Sequence, residues 1–232
     1  MKRFYKEAKV VPADAGFAVE LDGKPLRTPE KRALSVATHR LAAAIADEWQ
    51  GQDIIVKPLS LPLTRLVSTA LDRVTPRRAG VITEIAKYGT TDLLCYRAAE
   101  PHELVERQQQ IWQPLLDWAE ARIGAAFAVT QGVTPIAQTP ATLAAIERAV
   151  AAHDALQLVA LHLATTACGS VVLALALLAK RISAEEAFAA AQLDETFQIE
   201  RWGEDPEQTK TRAALKEDIA LAARFAALLR AD

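Results

Sequence analysis

Phe17-Ala18-Val19-Glu20-Leu21-Asp22-Gly23-Lys24-Pro25-Leu26-Arg27-Thr28 reads as a β-hairpin. Its first five residues alternate apolar and polar, the period of a half-buried strand, and Asp22-Gly23 is a favoured two-residue turn. Lys24 to Thr28 returns as the second strand, and Pro29 stops it. The hairpin decides the fold class because it commits this part of the chain to a sheet. Around it, Ala33 to Val36 can add a short strand, and Arg3-Phe4-Tyr5-Lys6 is expected to dock as an edge strand whose charges blunt the exposed edge. Thr38 then caps a helix in which Leu41, Ile45 and Trp49 share one face, and Gly51 ends it.

Further along, Ile54 to Leu59 is strand-like. Helices are predicted over about Leu63 to Val74 and Arg77 to Tyr88, the second with Thr75 as N-cap and Pro76 in its first turn. Asp92 to Arg97 is ambiguous and is read as a short buried strand. Beyond Pro101 strand signals nearly vanish. Leu104, Ile111, Leu115 and Trp118 mark a helix from about His102 to Ile123, which Pro114 kinks or restarts. Ala126 to Gln131 is a candidate isolated strand. Thr139-Pro140 opens a helix carrying Leu143, Ile146 and Val150, and an apolar helix over residues 155 to 180 follows. Ser183 with Glu186 forms a capping box, and Asp205-Pro206-Glu207-Gln208 starts the last helix, whose face is Leu215, Ile219, Ala222, Phe225 and Leu229. The expected fold is α+β: a small α/β domain with a hairpin sheet over residues 1–100, then a larger all-helical domain over 101–232.

Composition narrows the function. A chain of 232 residues with a net charge of −2 and a pI near 6.1 does not have the basic balance of a nucleic-acid or membrane-surface binder. The apolar run Leu156 to Ala179 is interrupted by Gln157, His162, Thr165, Thr166, Gly169 and Ser170. Its uninterrupted part, Val171 to Ala179, is well short of the roughly 20 residues that span a bilayer, so a buried central helix is expected and no membrane insertion. The N-terminus has no apolar h-region and no transit-peptide pattern, which points to a protein that works where it is made. Cys95 and Cys168 read as small buried hydrophobes.

Catalytic and cofactor motifs are missing. Neither GxxxxGK[ST] nor GxGxxG occurs. Gly169-Ser170 lacks the G-x-S-x-G pattern and falls within a helical run, where small residues let helices approach closely. His39, His102, His153 and His162 have no ligand spacing with each other or with a cysteine, so no metal is expected, and His162 reads as a hydrogen-bonded core residue. No cofactor is implied.

The concentrated chemistry lies in Asp194-Glu195-Thr196-Phe197-Gln198-Ile199-Glu200-Arg201-Trp202-Gly203-Glu204-Asp205-Pro206-Glu207. Six carboxylates surround two aromatics there. Unpaired buried carboxylates are costly, so this is not a core. A rim of acids around aromatic anchors suits a binding surface. Capping explains part of the cluster at Glu204, Asp205 and Glu207, but it does not explain Glu195, Gln198 and Trp202 together. A carboxylate-dependent hydrolase or isomerase centred on Asp194 and Glu195 is the competing reading.

Several blocks then read together in order. They are Arg3 to Lys6, Val19 to Pro29, Glu48-Trp49, Leu61-Pro62-Leu63-Thr64-Arg65-Leu66, Thr91 to Arg97, Trp112-Gln113-Pro114-Leu115-Leu116-Asp117-Trp118, and the 194–207 block. From about residue 3 to residue 229 the chain resembles the assembly chaperones that bind the α subunit of the ATP synthase catalytic head. The resemblance implies a non-enzymatic holdase that keeps the unassembled α subunit from aggregating and supports assembly of the α/β hexamer. It also implies the two-part fold above. Such proteins occur in the mitochondrial matrix and in some bacteria, and the missing presequence suits a bacterial, cytoplasmic member. A monomer is expected, since no coiled-coil heptads occur. Client-binding residues are then Asp194, Glu195, Phe197, Gln198, Glu200, Trp202, Asp205 and Glu207, with Phe197 and Trp202 as anchors and Glu195, Glu200 and Asp205 pairing with basic client residues.

Overall fold

In a computed structural model, residues 2–14, 16–132 and 134–230 are described. The strands are β1 (Ala8–Ala13), β2 (Gly16–Leu21), β3 (Lys24–Pro25), β4 (Ser35–Val36), β5 (Tyr96–Arg97) and β6 (Thr130–Gln131). The helices are α1 (His39–Gln50), α2 (Pro62–Thr69), α3 (Arg78–Ala86), α4 (His102–Ile123), α5 (Pro140–Ala151), α6 (Ala155–Cys168), α7 (Val171–Leu178), α8 (Ala184–Ala191), α9 (Leu193–Trp202) and α10 (Pro206–Leu228). The fold is α+β, a small sheet region followed by a larger helical part.

Contacts divide the chain into two compact units. One comprises residues 1–78, 154–160 and 224–232; the other comprises 79–153 and 161–223. The sequence places its change of character near residue 100, where strands give way to helices. The contact division instead comes after Arg78 and assigns two later segments to the first unit. Secondary-structure content and long-range packing are different properties, and a sequence scan registers only the first.

The first unit is built on the hairpin. Asp22 and Gly23 both take positive φ, 50° and 76°, the pair that a twist-matched two-residue turn requires. β2 pairs antiparallel with β1 on one side, and with β3 and β4 on the other. Its alternation buries Val19 and Leu21, and α1 lies against the sheet with Leu41, Ile45 and Trp49 buried. Thr38 Oγ1 accepts from Leu41 N–H as N-cap.

Two expected strands do not form. Arg3 to Lys6 is no strand: Lys2 makes one isolated bridge to Ile55, and Arg3 N–H donates to Ile54 O. The edge is β1, where Pro12 is tolerated because an edge residue need not donate to a neighbour. Ile54 to Leu59 is no strand either, since Pro58 opens a short 3₁₀ turn over Pro58–Ser60. Nor does Thr75 cap a new helix. The chain stays helical through a π turn at Ala70–Val74, and the Thr75 side chain donates back to Ala70 O at 2.9 Å.

The second unit is organised by α4 and α7. Helix α4 runs unbroken through Pro114 and buries Gln108, Trp112, Leu115, Leu116 and Ala119, so Ile111 lies off the inward face and is exposed. Trp112 Nε1–H donates to Ala190 O of α8 at 2.8 Å. The predicted strand over Asp92 to Arg97 is a 3₁₀ turn (Leu93–Cys95) leading into β5, which pairs in parallel with β6. The predicted apolar helix over 155–180 is two helices. Gly169 takes φ 65°, a conformation that ends α6, and Ser170 Oγ caps α7. These two residues therefore break the helix and do not serve close helix approach. His162, expected in the core, is exposed on α6. Cys95 and Cys168 are buried free thiols, each pushed up to about 12 by burial.

Asp92 ties this break together. Its fully buried carboxylate accepts from Ser170 Oγ at 2.7 Å, from Leu94 N–H at 3.1 Å and from Val172 N–H at 3.2 Å. The loop before β5 is thereby fastened to the N-terminus of α7, whose residues are all buried. Burial raises the Asp92 carboxyl to about 6, and the hydrogen bonds it accepts hold it from rising further.

Candidate functional site

The acidic block is a helix followed by the start of another. Helix α9 spans Leu193–Trp202, Gly203 at φ 84° ends it, and Asp205 caps α10 by accepting from Glu207 N–H at 2.7 Å and Gln208 N–H at 3.3 Å. Residues advance about 100° per step around a helix, so α9 sorts its own side chains. Leu193 and Phe197 face inward and are buried. Glu195, Gln198, Ile199 and Trp202 follow i, i+3, i+4, i+7 spacing and share the opposite face. Trp202 is 76 % exposed, whereas Phe197 is 3 % exposed. Phe197 is therefore no client anchor.

The inward and lateral side chains form a frame. Asp194 Oδ1 accepts from Gln108 Nε2–H at 2.7 Å; burial raises its carboxyl, while the hydrogen bond and the nearby Arg97 guanidinium oppose that shift. Arg97, itself buried, donates to Leu94 O at 2.8 Å and Gln108 O at 2.9 Å and stacks 5.3 Å from the Trp112 ring. On the flanks, the Phe197 ring is contacted by the guanidinium groups of Arg201 at 4.3 Å and Arg107 at 5.3 Å. Arg107 bridges Glu200 at 2.6 Å and Glu103 at 2.8 Å, and Arg201 also reaches Glu103 at 2.8 Å. The hydrogen bond from Arg201, more than that from Arg107, holds the Glu103 carboxyl below its usual range. Arg212 fastens α10 to α9 by donating to Gln192 Oε1 at 3.1 Å and Thr196 Oγ1 at 3.0 Å.

This geometry divides the predicted site residues. Glu195, Gln198 and Trp202 come to one face, Glu195 half-buried and the other two exposed, and none of their side chains has a hydrogen bond or ion pair among the described residues. Asp194 and Phe197 belong to the frame, Glu200 is engaged by Arg107, and Asp205 is engaged as a cap. Glu207 is exposed in the first turn of α10. The supports Arg97, Glu103, Arg107, Gln108 and Arg212 carry almost no signal in the local sequence. Only the i, i+4 pair Glu103–Arg107 left a signal, and that spacing is common on any solvated helix. The hydrolase reading loses its geometry, because Asp194 and Glu195 stand about 100° apart on the helix and do not converge.

Comparison with known proteins bears on the same arrangement. The sequence profile of the ATP12 chaperone protein family matches residues 2–120. The crystal structure of Atp12 from Paracoccus denitrificans is 40 % identical, covers 99 % of this chain and 98 % of its own, and superposes with a TM-score of 0.95. The chain belongs to the ATP12 chaperone family. An aspartate-to-lysine mutant of the same Paracoccus protein superposes equally well, with a TM-score of 0.95 at 40 % identity. The mitochondrial protein atp12 of Schizosaccharomyces pombe is 27 % identical over 214 residues, covering 87 % of this chain and 74 % of the yeast protein. The family is described as one of chaperone proteins. No helix among the described residues of this ATP12-family chain is long and apolar enough to cross a membrane.

Proposed function

We propose that this ATP12-family chain is a holdase that binds the unassembled α subunit of the ATP synthase catalytic head, keeps it from aggregating and releases it for assembly with β. The observation that carries this reading is the free face of α9. A largely exposed Trp202 shares a face with an unengaged amide, Gln198, and, two turns away, an unengaged and half-buried carboxylate, Glu195, on a helix held by the Asp194–Gln108 and Arg212 contacts. An unassembled ring subunit exposes large apolar interfaces. An aromatic anchor rimmed by charge covers such a surface reversibly, because the rim stays hydrated when the client leaves. Asp205 and Glu207 extend the negative rim towards basic client residues. The protein acts as a monomer in the bacterial cytoplasm, the counterpart of the mitochondrial location in the name of the yeast relative.

The test dilutes denatured α subunit into buffer with and without this protein, following light scattering and co-elution on a sizing column. Suppressed aggregation with a co-eluting complex is expected. Glu195→Lys should weaken that complex by about 100-fold, and Trp202→Ala by roughly 30-fold, the range of interface hot spots. Both residues lack intramolecular partners among those described, so melting temperatures should stay within a few degrees of wild type. Undiminished client binding by a normally melting Glu195→Lys protein would remove α9 from the interface.

A further inference from the structure

The first unit contains a cleft of about 480 Å³ that involves no residue of the α9 face. That volume lies within the range of side-chain and small-ligand pockets. Its floor is apolar, made by the buried Trp49, Val56 and Leu61. Its rim is cationic, carrying Arg27, Arg65 and Arg73. Arg65 and Arg73 are exposed and have no side-chain hydrogen bond or ion pair among the described residues. Arg27 donates to the Lys31 carbonyl at 2.9 Å, which leaves its charge without a carboxylate partner.

The acids at the cleft do not neutralise this rim. Asp72 is buried and accepts from Thr28 Oγ1 at 2.8 Å and from Glu30 N–H at 3.1 Å. Arg32 lies 3.7 Å from Asp72 and 3.6 Å from Glu30, so both carboxylates already have a cation. The wall that supplies Asp72 and Arg73 is the π turn Ala70–Val74, closed by Thr75 N–H reaching back to Ala70 O. Within this turn Asp72 is buried and Arg73 is exposed at the rim. π turns of this kind gather at functional sites. Beside the cleft, the segment that contributes Val56 leaves Ile54 at 79 % exposure and Leu59 at 81 %.

We propose that this cleft is a second docking site, which takes an extended segment of the client that presents an apolar side chain beside one or more carboxylates. The apolar floor suits the side chain, and the unpaired arginines of the rim suit the carboxylates, which guanidinium groups bind in a bidentate fork. The proposal rests on the client-holding reading above and gives the client a second, oppositely charged contact: a basic segment meets the α9 face and an acidic one meets this cleft. Two modest contacts on one client also permit stepwise release, since each can open singly.

The experiment measures binding of purified ATP synthase α subunit to the full-length protein at salt concentrations from about 50 to about 500 mM. The charge reversal Arg65→Glu with Arg73→Glu should weaken binding by at least roughly tenfold at low salt and flatten its salt dependence. Ser68→Cys, labelled with a bulky maleimide, should weaken it comparably by filling the cleft. Labelling is selective because Cys95 and Cys168 are buried with thiols near 12. Wild-type binding with unchanged affinity and salt dependence in both correctly melting variants overturns the cleft proposal and leaves the holdase reading standing. Absence of wild-type binding overturns the holdase reading, and the cleft proposal falls with it.

Discussion

Trp49→Arg is expected to destabilise the protein by about 5 kcal/mol or more, enough to unfold a domain at the lower end of ordinary stability. The indole is 8 % exposed, packs edge-on against Tyr5 at 5.7 Å and donates from Nε1 to Thr64 Oγ1 at 3.1 Å. Its backbone carbonyl accepts from the Tyr5 hydroxyl at 2.7 Å. Removing a buried Trp alone costs about 3–5 kcal/mol. Arginine then adds a desolvated cation, and the neighbouring carboxylate cannot compensate it. Glu48 already accepts from Leu63 N–H, Thr64 N–H and Thr64 Oγ1–H, and burial raises its carboxyl in spite of those bonds. Loss of helical circular dichroism or aggregation on expression is the expected result, while Trp49→Phe should stay folded with a loss of about 1–2 kcal/mol. A soluble Trp49→Arg protein melting within a few degrees of wild type would show that Trp49 is not a core residue.

Asp92→Ala is expected to cost about 3 kcal/mol and to loosen the second unit. It orphans two buried backbone N–H donors, of Leu94 and Val172, and the hydroxyl of Ser170 that caps α7. Urea unfolding should show the loss as a lowered midpoint with an unchanged slope. Asp92 also carries a pH signature. Its folded-state carboxyl is raised from 3.8 to about 6, so the folded protein binds a proton more tightly than the unfolded chain does. The stability this proton contributes is fully present below 3.8 and is lost as pH rises through about 6. Acidifying from pH 7 to pH 5 should therefore raise the Asp92 contribution by about 1 kcal/mol. In Asp92→Asn that increment disappears. The difference between wild type and Asp92→Asn in their pH 7-to-5 stability changes measures it directly, and a zero difference would show that Asp92 does not titrate in this range.

The elements legible in the sequence are those coded by short-range stereochemistry. Asp22-Gly23 announced its turn because both residues tolerate positive φ. Thr38, Thr139 and Ser183 announced helix starts because each side chain accepts from its own first turn. The ends of α4, His102 and Ile123, follow from its apolar period, but the break expected at Pro114 does not occur and the helix runs on through it. Where the reading failed, a partner distant in sequence decided the outcome. Local pattern places Ser170 inside a long apolar helix, yet it caps α7 with its hydroxyl donated to Asp92, 78 residues earlier. The strand-like run Ile54 to Leu59 stayed unpaired apart from one bridge to Lys2, because the sheet completes itself with β1, β3 and β4.

The candidate site divides in the same way. By itself the sequence determined that the 194–207 block is rich in acids and aromatics, that Glu195, Gln198 and Trp202 resist a capping explanation, and that the ordered blocks resemble one chaperone family. These follow from composition and local spacing. The tertiary structure decided which of those side chains are available. It buried Phe197 against Arg107 and Arg201, engaged Asp194 with Gln108 and Glu200 with Arg107, and left Trp202 in solvent. It also gathered Arg27, Arg65 and Arg73 around one apolar floor from separate segments. The physical reason is that a carboxylate or guanidinium is free or neutralised according to what folds against it. Its partners here lie tens of residues away in the chain, beyond the reach of any local pattern.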